Sequence, residues 1–306
     1  MNPCRGLAVV FALACVNANG QEPAQRLAAR ALGDTPLVSD LSELCDGIGG
    51  RPTGSAACNR AVEWAAKKFR EAGADSVKTE SFSVPHLWLP GSAEAQAIAP
   101  EKFDIRIAAA PFSPSTTGTI EAPLVDAGEA KSEELAKIAA SLKGAILLVR
   151  SQEMKTFDDL FAEYVRNGSL LDAAKKYQPA AILLESTRPR GLLYRHPVTF
   201  DSSLAPAPMA VISRENAERL GRLAQHQQVK VRLSLQNRTG GEYESKNVIA
   251  EIRGREKPNE VVLIGAHLDS WDLGTGAEDN GVNAAMVIDA LRGFKQLGLK
   301  PRRTIR

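Results

Sequence analysis

Neither sign of charge prevails in this chain. Its 306 residues carry 38 Lys and Arg against 36 Asp and Glu, a net of +2, and the basic residues are spread along the sequence. A nucleic-acid surface needs a basic patch or stripe, so the charge pattern makes no case for one. Long apolar runs are missing too. Beyond the first twenty residues no stretch of eighteen occurs, and no membrane span is expected there. Cysteine is scarce, with four in all, and histidine is equally rare. No internal repeat or long low-complexity segment appears. What remains is an ordinary globular balance, 44% apolar and 24% charged, long enough for two domains.

The first twenty residues, MNPCRGLAVVFALACVNANG, place Arg5 before an apolar core from Gly6 to Val16 and end on Ala18-Asn19-Gly20. A short charged start, an apolar core too short to span and a small-x-small site form a secretory signal pattern. We read residues 1–20 as a signal peptide and expect a secreted or periplasmic protein. Its removal takes Cys4 and Cys15 with it. Cys45 and Cys58 remain, and export would permit a disulfide between them, although two free buried thiols fit equally well.

The mature chain opens with a short helix over Asp40 to Ile48, ended by the loop Gly49-Gly-Arg-Pro-Thr-Gly54. Ser55 is placed to cap a helix from Ala56 to Ala72, closed by Gly73. Its Val62, Ala65, Ala66 and Phe69 recur at helical spacing and should face a core. Val77 to Val84 alternates as a strand does, with Glu94 to Ile98 as its hairpin partner. Near Pro111 the texture turns rich in Pro, Ser, Thr and Gly, which suggests a boundary. Beyond it lie strands within 144–150, 179–186 and 209–214, helices within 132–141, 157–177 and 215–225, and an alternating stretch from Val229 to Leu235. After Gly240 the first texture returns, with strands at 245–254 and 260–266 and a helix from Gly281 to Gly293. The expected organisation is one α/β domain over 21–110 and 241–306, interrupted by a separate α/β module over 111–240.

The apolar strand EVVLIGA runs into GAHLDSWDLGTGAEDNGV, residues 265–282. Ligand sites of open α/β sheets lie beyond the carboxyl ends of strands. His267 and Asp269, two apart on extended chain, point the same way. Asp279 can swing back to them through Gly274-Thr-Gly276. Imidazole and carboxylate suit zinc. The same residues also read as a surface histidine bonded to an acid, with Asp279 an acid at a helix start. Spacing alone leaves both readings open. Asp272 and Glu278 read as solvated, Arg51 is left without a role, and His86, His196 and His226 read as structural or surface histidines.

The stretch VVLIGAHLDSWDLGTGAEDNGV resembles the first metal motif of the di-zinc exopeptidases related to aminopeptidase Y and glutamate carboxypeptidase. GGRPTGSAACNRAVEWAAKKFREAGA is similar to the N-terminal segment of that family's carboxypeptidase Q branch, and the middle block resembles its protease-associated insert. The resemblance implies a three-layer zinc-exopeptidase α/β fold of the phosphorylase/hydrolase-like kind. It implies that His267 binds one zinc, that Asp279 bridges two, and that Asp269 serves catalysis by holding the His267 ring. It also implies a cis peptide between Asp279 and Asn280. The expected partners are peptides cut at a terminal bond, with a homodimer left open. The family pattern continues with a Glu-Glu pair on the strand after the helix, then a further acidic ligand and a second histidine; here no Glu-Glu pair follows Asp279, and the sequence reaches Arg306 where that strand should begin. The expectation is therefore a C-terminally truncated chain with an incomplete site, inactive alone, whose full-length parent holds two zinc ions. A non-catalytic binding protein on the same fold is the alternative. A single-zinc acyltransferase such as glutaminyl cyclase is a third reading, weakened by the insert.

The export reading has a direct check. N-terminal sequencing of material recovered outside the cytoplasm should begin at Gln21, and a chain that still begins at Met1 would defeat it.

Overall fold

The computed structural model describes residues 22–306. The signal-type segment, Cys4, Cys15 and the expected cut before Gln21 lie outside the described residues. The elements in chain order are α1 (Pro23–Ala31), α2 (Leu37–Ser42), a π-helical turn (Glu43–Ile48), α3 (Ala56–Glu71), β1 (Ser76–Val84), β2 (Leu87–Ala99), β3 (Phe103–Ile105), β4 (Ile107–Ala109) and β5 (Ile120–Asp126). They continue with α4 (Ser132–Lys137), α5 (Ala139–Leu142), β6 (Ile146–Val149), α6 (Phe157–Tyr177), β7 (Ala181–Glu185), β8 (Met209–Ile212), α7 (Arg214–Ala224), β9 (Lys230–Gly240) and β10 (Tyr243–Glu251). Last come β11 (Lys257–Val262), a second π-helical turn (Ala277–Gly281), α8 (Val282–Gln296) and β12 (Arg303–Ile305).

Among the described residues the largest sheet runs β3-β2-β9-β5-β6-β7-β8-β4. Strands β5 to β8 are parallel to one another, and β9 and β4 flank them antiparallel. Every residue of β6, β7 and β8 is buried. Helices cover both faces of a parallel sheet, which is why these strands read as unbroken apolar runs. One core, with Ile146, Leu148, Leu183 and Leu220, lies on one face. A second, with Leu142, Leu147, Leu170 and Ile182, lies on the other.

Outside this sheet, β1 pairs antiparallel with β10, and β11 pairs parallel with β12. The Ile252–Ile305 bridge joins the two pairs edge to edge. A third core packs α3 and α8 onto β10 through Leu44, Trp64, Ala65, Ala250, Ile288 and Leu291. The Ser55 hydroxyl accepts the Cys58 N–H at 3.0 Å and so caps α3, and Val62, Ala65 and Ala66 turn inward as their spacing requires.

Two sequence readings are corrected here. The hairpin between Val77–Val84 and Glu94–Ile98 does not form, because β1 bonds to β10 along its whole length while Glu94 and its neighbours in β2 bond to β9 and β3. Alternation marks a strand but says nothing of its partner. The strand expected over 260–266 stops at Val262, after a register shift between Lys257 and Val261. Its apolar residues Val261 to Ile264 are exposed, so an apolar run did not mean burial. The large sheet also starts upstream of Pro111, since β2, β3 and β4 belong to it.

Buried charge ties the helices that carry the third core. Asp40 of α2 is 4% exposed and takes both Lys68 of α3, at 2.8 Å, and Arg292 of α8, at 2.6 Å. Arg292 and Arg30 of α1 converge on Asp289. Removing one partner of a buried ion pair leaves the other desolvated and uncompensated. Asp40→Ala should lower stability to urea by about 3 kcal/mol, the low end for a buried pair because Glu43 and Asp289 keep a hold on the two cations.

Candidate metal centre

Past β11 the backbone leaves the sheet, and the loop 263–276 is shaped from below by the Gly49–Gly54 turn. Arg51 is fully buried beneath it. Its guanidinium donates to the carbonyls of Leu268 (2.5 Å), Gly49 (3.1 Å), Thr275 (2.8 Å) and Gly276 (2.9 Å). Its backbone N–H donates to Ser270 Oγ at 3.2 Å, and its carbonyl accepts the Ser270 N–H at 3.3 Å. The two segments approach so closely that glycine is needed on each side. A Cβ on Gly50 would lie 2.6 Å from Asp272 Cα, and one on Gly276, whose φ is +66°, would overlap Ser270.

The loop so held presents His267, Asp269 and Asp279 together. His267 Nδ1 lies 3.1 Å from Asp269 Oδ1, and Asp269 Oδ2 accepts the Thr53 hydroxyl at 2.6 Å. The other ring nitrogen, Nε2, lies 3.0 Å from Asp279 Oδ1. The Asp279–Asn280 peptide is cis, and Asp279 sits outside helical φ/ψ within the second π-turn. A zinc held by both donors at ordinary bond lengths would put them about 3.3 Å apart in a tetrahedral site. The observed separation therefore fits a shared cation with a few tenths of an ångström of adjustment. Fixing the N–H of the ring on Nδ1 leaves the Nε2 lone pair free for a metal, the usual role of an orienting carboxylate. Among the described residues, no group of three or more His, Cys, Asp or Glu is placed to hold a metal ion.

The trio opens onto a cavity of about 370 Å³ whose far wall comes from the large sheet and its loops, with His86, Trp88, Phe112 and Pro197. The joint between the two sides is a second buried arginine. Arg195 lies over the rings of both Trp88 (5.9 Å) and Trp271 (5.8 Å), which meet edge to face at 6.3 Å; it donates to the Ala109 carbonyl at 2.8 Å and pairs with Asp272. Burial pushes its pKa down to about 10. Trp271 itself packs on the core of the large sheet.

The structure thus brings His267, Asp269 and Asp279 to one place, as their spacing suggested. It corrects Asp272, which is not simply solvated but neutralises Arg195. Glu278 is exposed. Of the other histidines, His86 lines the cavity, His196 is buried with Nε2 3.3 Å from Glu163, and His226 is exposed. Cys45 and Cys58 are buried free thiols, and burial followed by the Asp269 charge pushes the Cys58 thiol up. Sequence reasoning missed Arg51, Thr53 and Arg195. The one available signal was an arginine set in a glycine-rich turn, where no side chain competes for the space beside it.

Residues 247–306 match the model for Peptidase family M28. Carboxypeptidase Q of Xenopus laevis is 31% identical over 277 residues, covering 87% of this chain and 56% of that protein. The Homo sapiens carboxypeptidase Q is 29% identical over 272 residues with the same coverage. The chain spans about half the length of the curated relatives it matches. The crystal structure of a Peptidase M28 precursor from Shewanella amazonensis SB2B superposes with a TM-score of 0.75 at 30% identity, over 92% of this chain and 65% of that one. BSAP, a zinc aminopeptidase from Bacillus subtilis, shares the fold at a TM-score of 0.66 and 22% identity, over 88% of this chain and 59% of that one. The resemblance read from the acid-cluster motif is borne out.

Asp272 now has a measurable consequence. Asp272→Ala leaves the Arg195 guanidinium buried with its charge uncompensated, which costs about 3 kcal/mol or more. Urea unfolding should show that loss, and Arg195→Met made in the same background should recover part of it.

Proposed function

We propose, from the match of residues 247–306 to Peptidase family M28 as premise, that this chain is part of a zinc exopeptidase that hydrolyses terminal bonds of peptides. The observation that carries the reading is the convergence of His267 Nε2 and Asp279 Oδ1 at 3.0 Å on the edge of a cavity. These two residues would hold zinc, with two ions in the complete enzyme and Asp279 shared between them. Zinc, when bound, supplies Lewis acidity toward the scissile carbonyl. The remaining work belongs to the protein. Asp269 keeps the His267 N–H on Nδ1, and Thr53 in turn fixes the Asp269 carboxylate. The wall of His86, Trp88 and Phe112 is the surface against which a peptide is laid.

Strands β2 to β9, spanning Leu87 to Gly240, form the inserted protease-associated domain in this reading, and residues 22–84 and 243–306 form the peptidase part. The sheet order supports it, since the large sheet draws every strand from that span while β1, β10, β11 and β12 pair among themselves. The protein acts outside the cytoplasm, as its first twenty residues suggest. The site within these 306 residues is incomplete, because two donors fall short of the three protein ligands that a zinc site normally has. That same shortfall is what favours the alternative, a non-catalytic binding protein on this fold.

Calorimetric zinc titration separates the readings. The 306-residue chain should bind zinc weakly, and His267→Ala or Asp279→Ala should remove what binding there is. In the complete enzyme either change should abolish most peptidase activity, whereas Asp269→Asn should cost about 10–100-fold in affinity or activity. Tight uptake of two zinc ions by the 306-residue chain would overturn the incomplete-site reading. Equal zinc binding by wild type and His267→Ala would overturn the metal site itself.

A further inference from the structure

We propose that Arg51 is a positioning residue that sets the distance between the two metal donors, His267 and Asp279, by clamping both ends of the loop that carries them. The inference rests on the zinc reading above. Leu268, whose carbonyl takes the Arg51 Nε–H, is the residue between His267 and Asp269. Gly276, whose carbonyl takes an Nη2–H, opens the π-turn that contains Asp279. The Gly276 carbonyl also accepts the Gly281 N–H at 2.9 Å, which closes that turn on the far side of Asp279. One rigid planar group therefore spans the chain just after the first donor and the chain just before the second.

The arrangement is specific to arginine. A guanidinium carries five donors in a fixed fork, so it can meet four carbonyls in four directions at once. A lysine ammonium is a point charge on a flexible stem with three donors. It could neutralise the same space but could not hold Leu268 and Gly276 apart at a set distance. Full burial adds to the demand, since each carbonyl left without its donor costs free energy where no water reaches. The donors above the clamp are by contrast exposed, with side chains of His267 at 55% and Asp279 at 83%. Their placement cannot come from packing around them and has to come from beneath.

The test compares Arg51→Lys with the wild-type 306-residue chain in two measurements. The first is amide hydrogen exchange read by mass spectrometry. Peptides covering 265–281 should lose protection about tenfold or more, while peptides from β6 and β7 stay unchanged. The second is titration with cobalt(II) followed by its visible absorption, where affinity should fall about 10–100-fold, as for loss of other groups that orient metal ligands. Arg214→Met serves as the control. Arg214, the first residue of α7, is a part-buried arginine that pairs with Glu185 of β7, so its loss should lower stability without altering cobalt affinity or exchange in 265–281. Unchanged exchange in 265–281 for Arg51→Lys overturns the proposal, as does unchanged affinity in a wild type that binds cobalt. A wild-type chain that takes up no cobalt sinks the zinc reading instead, and the exchange comparison then decides the clamp alone. If Arg51→Lys cannot be recovered folded, Ser270→Ala removes the Oγ that anchors the Arg51 backbone. It should raise exchange in 265–281 by about 2–10-fold, the loss of one hydrogen bond. No rise in that variant also counts against the clamp.

Discussion

A cation shut away from water has to be given acceptors, and the whole candidate site is organised by how Arg51 meets that demand. Its hydrogen bonds go to backbone carbonyls of its own turn and of the loop above it. Backbone acceptors fix where the chain runs, which side-chain acceptors would not. The glycines at 50 and 276 follow from the same contact, because a Cβ at either position would fill the gap across which these bonds are made. The turn Gly49–Gly54 and the loop 263–276 are thus two halves of one device, although more than 200 residues separate them in sequence.

The second buried arginine solves the same problem differently. Arg195 receives one carbonyl, two aromatic faces and the carboxylate of Asp272. Here the partner is a side chain on the loop that carries the candidate donors, and Trp271 next to it packs against the core of the large sheet. The loop is therefore pinned from beneath by Arg51 and from the side by Arg195. Cation–π contacts and a charge pair with a buried guanidinium are directional, so this joint fixes the cavity wall relative to the donors. A ligand in the cavity would touch both sides of that joint.

What the sequence made legible was local. The Ser55 cap, the apolar face of α3 and the buried strands β6 to β8 each follow from a pattern within a few turns of chain, and all three are found. His267, Asp269 and Asp279 were legible because a strand end, a two-residue spacing and a glycine-rich return all act locally. The failures were long-range. β1 takes its partner some 160 residues on, in β10, and nothing in its alternation could say so. Asp272 looked solvated because its partner Arg195 lies in another part of the chain. Arg51 looked idle because its acceptors are carbonyls, which every residue has and which leave no mark in a sequence. Sheet membership likewise leaves little mark in composition, since β2, β3 and β4 join the large sheet from upstream of Pro111.

Rigidity and reactivity are separated by depth in this site. The lowest layer, Arg51, is closed to solvent and fully bonded. The middle layer, Thr53 and Asp269, is half-buried, with the Thr53 hydroxyl bonded to the Asp269 carboxylate and that carboxylate bonded to the histidine ring. The top layer, His267 and Asp279, is exposed, with His267 Nε2 and Asp279 Oδ1 facing each other at 3.0 Å. Each layer restricts the next by fewer contacts, so the donors keep the freedom of a few tenths of an ångström that a shared cation would require, while their directions stay set. A site built the other way, with buried donors on a loose base, would hold its donors apart from any molecule in the cavity. The position of the pair at the end of β11, in a crevice beyond the carboxyl end of a strand, is where an open α/β sheet leaves both exposure and a firm base available at once.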